Sequence, residues 1–185
     1  MRIRKIMAVT MAACLVAGSL AGCGKKTEEK VIKIGVFEPT TGENGGGGFQ
    51  EVLGIRYARE MHPTVTINGE EYQVELVEVD NKSDKTEAVN AAQKLVSEKV
   101  SVVLGSYGSG VSIAAGQIFA DAKIPAIGCS CTNPQVTEGN DYYFRVCFID
   151  PFQGTVMANY AYQNGAKNAA VITQLGDDYS SGLGS

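Results

Sequence analysis

Apolar and polar residues along this chain switch repeatedly between the two-residue period of strands and the 3.6-residue period of helices. Val100, Val102, Val103 and Leu104 form a short β-branched run of the kind buried in a parallel sheet, and Gly105 to Gly110 interrupts it. From Val111 the apolar residues fall at 111, 114, 115, 118, 119 and 122, the stripe of a helix packed on a sheet. A second run, Ile124 to Ile127, ends in the polar turn Cys129-Ser130-Cys131-Thr132-Asn133-Pro134. In a parallel sheet both turns leave the carboxyl ends of their strands, which is where open α/β folds bind ligands. Two hydroxyl-bearing turns are therefore expected to face one crevice.

The same patterning assigns the rest of the chain. Ile32 to Phe37 predicts a strand, and Glu38 to Gly48, with Pro39, Gly42 and four consecutive glycines, predicts a mobile loop. A helix is expected over Phe49 to Met61 with Phe49, Val52, Leu53 and Met61 near one face, ended by Pro63. Between Thr64 and Asp80 the pair Asn68-Gly69 separates two β-prone runs, a strong hairpin signal. Asp84 and Glu87 form a capping-box-like pair ahead of a helix whose apolar positions are Ala88, Ala91, Ala92, Leu95 and Val96. Tyr142 to Phe148 predicts a strand, Phe152 to Asn164 a helix capped by Gly165, and Ala169 to Thr173 a further strand. Strands alternate with helices throughout, which predicts an α/β fold with a parallel, doubly wound sheet flanked by helices. Gln174 to Ser185 starts a new turn and helix. A crossover helix is an unusual end for such a fold, so the chain is expected to be the front of a longer one.

The first 22 residues stand apart. Arg2, Arg4 and Lys5 precede an apolar segment, Ile6 to Leu20, too short for an ordinary membrane span and laid out as a secretory signal. It ends in Leu20-Ala21-Gly22-Cys23, which resembles the lipobox of bacterial lipoproteins; Cys23 would then be the acylated first residue of the mature chain, and residues 23–30 a polar tether. The plainer alternative is a signal peptide with a coincidental cysteine. Removing residues 1–22 takes away three basic residues and no acidic one, which moves the net charge from −4 to −7. An acidic exported chain with no basic cluster beyond the tether offers nucleic acid nothing to hold. Cys129, Cys131 and Cys147 remain, an odd number that argues against a disulfide framework. With His62 lacking a partner cluster, they read as structural cysteines rather than metal ligands.

Ser109 stands where the N-cap of the 111–122 helix belongs, and such a serine either caps its helix or, with the first-turn amides and the helix dipole, binds an anion. Thr132 is either a turn residue ahead of Asn133-Pro134 or a second hydroxyl in the crevice. Enzymatic readings fit less well. Gly105 to Ser112 lacks the lysine of a phosphate-binding loop, since Val111 occupies its place, and lacks the third glycine of a dinucleotide fingerprint, where Ile113 stands. A nucleophile elbow around Ser109 needs glycine at position 107, which is tyrosine. His62, before Pro63, is poorly placed for a general base.

Residues 31–185 resemble the amino-terminal part of a periplasmic ligand-binding protein of the branched-chain amino acid type, the solute receptor of an ABC importer. The resemblance rests on IKIGVFEPTTG, VEVDNKSDKTEAVNAAQKLV, VVLGSYGSGVSIAAGQIFADAKIPAIGCSCTNPQVT, YYFRVCFIDPFQG and VITQLGDDYSSGLG, in that order. It implies a type I periplasmic binding protein fold of two lobes closing on a ligand, with residues 31–148 as lobe one, and 149–185 as the hinge and the beginning of lobe two. It further implies that Ser109 and Thr132 hold the α-carboxylate of a free amino acid, while the Ser130 carbonyl and the Thr132 hydroxyl meet the ammonium. Tyr179 would line the far wall, and Tyr107 would either close over the ligand or serve packing. The glycine run leaves bare a loop that in relatives can reach the ligand. No cofactor and no catalysis are implied; the partners would be an ABC permease and, through lipid on Cys23, the outer face of the cell membrane. A ligand-sensing receptor of the same fold, for another small polar solute, is the alternative.

Overall fold

The computed structural model describes residues 30–185. The signal segment, Cys23 and all of the tether but Lys30 lie outside the described residues. A six-stranded sheet of order β2-β3-β1-β4-β5-β6 runs through the molecule. Its strands are β1 (Val31–Glu38), β2 (Thr64–Ile67), β3 (Glu70–Asp80), β4 (Val102–Leu104), β5 (Ala126–Gly128) and β6 (Tyr143–Arg145). All neighbouring pairs are parallel except β2 with β3. These two join through Asn68 and Gly69 at φ 53° and 80°, the two positive φ values that the tight hairpin turn requires.

Central β1 pairs on both sides, with β3 from Val31↔Gln73 to Glu38↔Asp80 and with β4 from Ile34↔Val102 to Val36↔Leu104. The connection from β1 leads to one side and those from β4 lead to the other, so the topological switch lies between their carboxyl ends. The crossover helices are α1 (Gly45–Met61), α2 (Lys85–Ser97) and α3 (Ser109–Asp121); α4 (Asp150–Gln163) and α5 (Asp178–Gly184) follow the sheet.

The main core lies on the α2/α3 face, where Ala88, Ala91, Ala92 and Leu95 meet Val111, Ala115 and Phe119 over Phe37 and Val103. Three rings form its spine: Phe37 and Phe119 at 5.5 Å and 85°, then Phe119 and Tyr143 at 6.5 Å and 61°. Each such ring contributes about 2–3 kcal/mol by leaving water. Small residues on α2 and α3 let the helices approach closely. Asp84 starts α2 as expected, its carboxylate accepting from the amides of Thr86 (2.8 Å) and Glu87 (2.9 Å), but Glu87 turns outward to Lys82 instead of closing the box. On the opposite face α1 packs only Val52 and Ile55 against Val36, with Leu76 and Leu104 partly buried beside them.

Several sequence expectations need correction. Helix α1 begins at Gly45, so the glycine run is its first turn rather than a mobile loop. A Cβ on Gly48 would lie 2.2 Å from the Pro39 carbonyl oxygen, so glycine lets the helix press against the chain leaving β1. The earlier start moves the inner face to Gly45, Gly48, Val52 and Ile55, which leaves Phe49, Leu53 and Met61 exposed. Helix α4 starts at Asp150, with Pro151 in its first turn, rather than at Phe152. Strand β6 keeps only three of the seven residues expected, and Ala169 to Thr173 joins no strand. Its apolar residues Val171 and Ile172 face solvent, because nothing among the described residues pairs with them.

Candidate functional site

The two turns predicted to share a crevice do meet, at the carboxyl ends of β4 and β5. After Leu104 the chain turns through Gly105 (φ 121°) and Gly108 (φ 139°), conformations that favour glycine, and enters α3 at Ser109. The N-cap is Gly108, not Ser109. The Gly108 carbonyl accepts from the amide (3.3 Å) and hydroxyl (2.9 Å) of Ser112. Ser109 is instead the first helical residue, and its buried Oγ accepts from the Asn133 amide (3.2 Å) in the turn after β5. The hydroxyl thus ties one turn to the other and keeps its own proton to donate. The first amides of α3 have no intrahelical acceptor, which leaves the positive end of the helix at this junction.

The second turn is held by a residue that sequence reasoning did not single out. Arg145, at the end of β6, donates to the carbonyls of Cys131 (3.0 Å), Asn133 (2.9 Å) and Pro134 (3.1 Å) and to Thr137 Oγ1 (2.7 Å). Similarly, the Tyr143 hydroxyl donates to the Gly105 carbonyl (2.8 Å) and fixes the first turn from below the sheet edge. Within this frame Thr132 is only 6% exposed, and its Oγ1 is buried without a hydrogen-bond partner. Such a hydroxyl is costly unless something else satisfies it.

Ser130 donates its hydroxyl to Glu51 Oε1 (2.5 Å) on α1. Glu51, Glu38 and Cys129 bring carboxylate oxygens and sulfur within 4.8 Å of one another. Burial, and then the neighbouring Glu51, push the Glu38 carboxyl up to about 10, so Glu38 is protonated at neutral pH. Burial and then the two carboxyls push the Cys129 thiol upward as well. A protonated thiol beside a protonated carboxyl is a poor metal ligand. Cys131 is buried and Cys147 half-buried; all three cysteines are unpaired.

Tyr107 is anchored by its amide, which donates to Glu38 Oε2 (2.6 Å). Tyr179 lies at the start of α5, a helix capped by the Asp177 carboxylate accepting from the Ser180 amide (2.7 Å). Asn133 donates to the Asp178 carbonyl (2.7 Å), and Lys85 pairs with the Asp178 carboxylate (2.8 Å), so α5 is drawn to the mouth of the crevice. Gln153 reaches the Tyr179 hydroxyl at 3.4 Å.

A cavity of about 520 Å³ results, and Tyr107, Ser109, Ser130, Thr132 and Tyr179 all line it. Glu43, Cys147, Phe148, Gln153 and Asp177, which the sequence did not suggest, line it too. Among the described residues, its wall therefore carries two carboxylates and no lysine, arginine or histidine. The hydroxyl-bearing residues Ser109, Ser130 and Thr132, with Ser109 opening α3, line the cavity together with the two tyrosines and Phe148.

The periplasmic binding protein family matches residues 31–185. An amino acid binding protein of Pseudomonas aeruginosa is 38% identical over 156 residues, covering 82% of this chain and 41% of that protein. Among solved structures, a leucine binding protein of Thermotoga maritima superposes with a TM-score of 0.77 at 44% identity, over 83% of this chain and 43% of that one. A branched-chain amino acid transporter substrate binding protein of Streptococcus pneumoniae, in complex with isoleucine, gives 0.75 at 34% identity, over 83% and 44%. The chain thus spans about two-fifths of the length of these relatives.

Proposed function

The chain belongs to the periplasmic binding protein family, whose type I fold it shares, and from that premise we propose that it is the solute-binding component of an ABC importer for a free amino acid with an aliphatic side chain. The observation that carries this reading is the pairing of chemistries in one cavity: an unsatisfied buried Thr132 hydroxyl and a helix N-terminus, with two carboxylates and, among the described residues, no cation in the wall. A helix end and hydroxyls suit a carboxylate. Without a basic residue in the wall, a ligand that also carries an ammonium is preferred to a simple anion.

In this reading Ser109 and Thr132 hold the α-carboxylate, the Ser130 carbonyl and the Thr132 hydroxyl meet the ammonium, and Tyr107 and Tyr179 face the side chain. Residues 31–148 form lobe one, and 149–185 form the hinge and the start of lobe two. The protein works outside the cytoplasm, as its family does; Cys23 carries the lipid that anchors it, and a permease accepts its cargo. No step of chemistry on the ligand is involved.

Thermal-shift screening of the chain against the twenty amino acids at millimolar concentration tests the ligand class. Leucine, isoleucine or valine should raise Tm, and 4-methylpentanoate, which is leucine without its ammonium, should not. Ser109→Ala combined with Thr132→Val should abolish the shift, since each charged hydrogen bond lost is worth about 1.5–3 kcal/mol. Stabilisation by a sugar or nucleotide alone rejects the amino acid, and an undiminished shift in the double variant removes both hydroxyls from the site.

A further inference from the structure

Gly47 sits in the first turn of α1, with an ordinary helical φ, so nothing in its backbone calls for glycine. Glycine within a helix is disfavoured relative to almost any other residue there. What occupies the missing side chain's place is the ring of Tyr107. A Cβ on Gly47 would lie 2.5 Å from Tyr107 Cζ, 2.7 Å from Cε2 and 2.8 Å from Cε1, closer than carbon atoms approach. The adjacent Gly46 differs sharply, because a Cβ there would meet nothing within 4 Å. The ring is thus laid on bare backbone at its far edge, while the Tyr107 amide is pinned to Glu38 at its near end. It also lines the cavity, beside Gly108 and Ser109.

We propose that Gly47 is a specificity-determining position: its missing side chain seats the Tyr107 ring against α1 and so sets the room left for the ligand's side chain. This deepens the amino-acid reading above and rests on it. With Gly47 the ring is held back and a branched aliphatic chain packs on it. Any Cβ at position 47 drives the ring away from α1, where it takes up space that a large ligand needs. Van der Waals exclusion of this kind is steep at sub-ångström overlap, so one methyl group at position 47 suffices.

Two measurements test it, each on Gly47→Ala, with Gly46→Ala as the matched control that adds the same methyl one residue away. In the first, ring-labelled tyrosine is followed by NMR without ligand. The Tyr107 signal, assigned by its loss in Tyr107→Ala, should move in Gly47→Ala and stay in Gly46→Ala. In the second, titration calorimetry with leucine and with alanine should show Gly47→Ala losing about tenfold in preference for leucine, the discrimination typical of a methylene-sized change in a pocket. Gly46→Ala should match the parent chain. Adding Gly47→Ala to Tyr107→Ala should change nothing further, because the clash needs both partners. A Tyr107 signal that stays put in Gly47→Ala overturns the seat, whatever the chain binds. A displaced ring with unaltered leucine-to-alanine preference overturns the role in specificity. A displaced ring in a chain that binds no amino acid rejects the amino-acid reading, and the role in its specificity with it, while the seat stands.

Discussion

Residues 31–145 and residues 150–184 are built from similar residues and end differently. In the first region the apolar stripe of α3 buries Val111, Ala115 and Phe119 against a sheet that already holds Phe37 and Val103. In the second, α4 exposes Phe152, Val156, Met157, Tyr160 and Tyr162, buries only Asp150, and is followed by a segment without regular structure in which Ile172 is exposed. Both regions have well-formed helix starts, by Asp84 in one and Asp177 in the other. Local signals therefore work equally in both, and what separates them is whether a sheet receives the apolar side. A strand is completed by its neighbour, whereas a helix closes its own hydrogen bonds. This explains why Ala169 to Thr173 stays unpaired while α4 and α5 still form.

The difference can be broken or sharpened by substitution. The largest effect belongs to the ring spine: Phe119→Ala should cost about 3–5 kcal/mol in urea unfolding, while Ile172→Ala should stay within about 0.5 kcal/mol. Equal losses would show that the carboxy-terminal segment is as packed as the core. Next in size is a pH effect confined to the first region. The Glu38 carboxyl is raised to about 10 from an ordinary 4.5 by burial and by Glu51 beside it. The folded chain therefore holds a proton that the unfolded chain releases, and stability should fall as pH rises from about 4.5 toward 10. The urea midpoint should drop between pH 5 and pH 9, and Glu38→Gln, which cannot ionise, should drop less; parallel curves for the two proteins would refute the raised Glu38 carboxyl. The smallest effect compares the two caps. Asp84→Ala should lower global stability by about 1 kcal/mol, whereas Asp177→Ala should leave the main transition unchanged and speed hydrogen exchange only within 178–184.

Much of the site was legible because it lies on short signals. The run from Val100 to Leu104, the stripe from Val111 and the polar turn at 129–134 were enough to bring Ser109, Ser130 and Thr132 to one crevice. Tyr107 followed from the same turn; Tyr179 came from the family resemblance. What was not legible came from pairs far apart in sequence. Arg145 holds the Cys131–Pro134 turn, yet nothing near position 145 announces it. Glu38 and Glu51 lie apart in sequence and meet only where the sheet and α1 bring them together. The glycine run looked like a loop because glycine disfavours helix on its own, and the reason for helix there is the tight approach to Pro39 and Tyr107.

The sequence by itself determined the order of strands and helices in the first region, though not the first turn of α1 or the length of β6, and also where the hairpin turns and where α2 starts. These depend on hydrogen bonds and periodicities that close within a few residues. The tertiary structure alone decided that Ser109 ties two turns together instead of capping its helix, that the Glu38 carboxyl is buried beside Glu51 and keeps its proton, and that a tyrosine ring takes the place of a missing side chain. Each of these depends on which atoms come within a few ångströms across the sheet, and such distances are set by packing of the whole, not by any local run of residues.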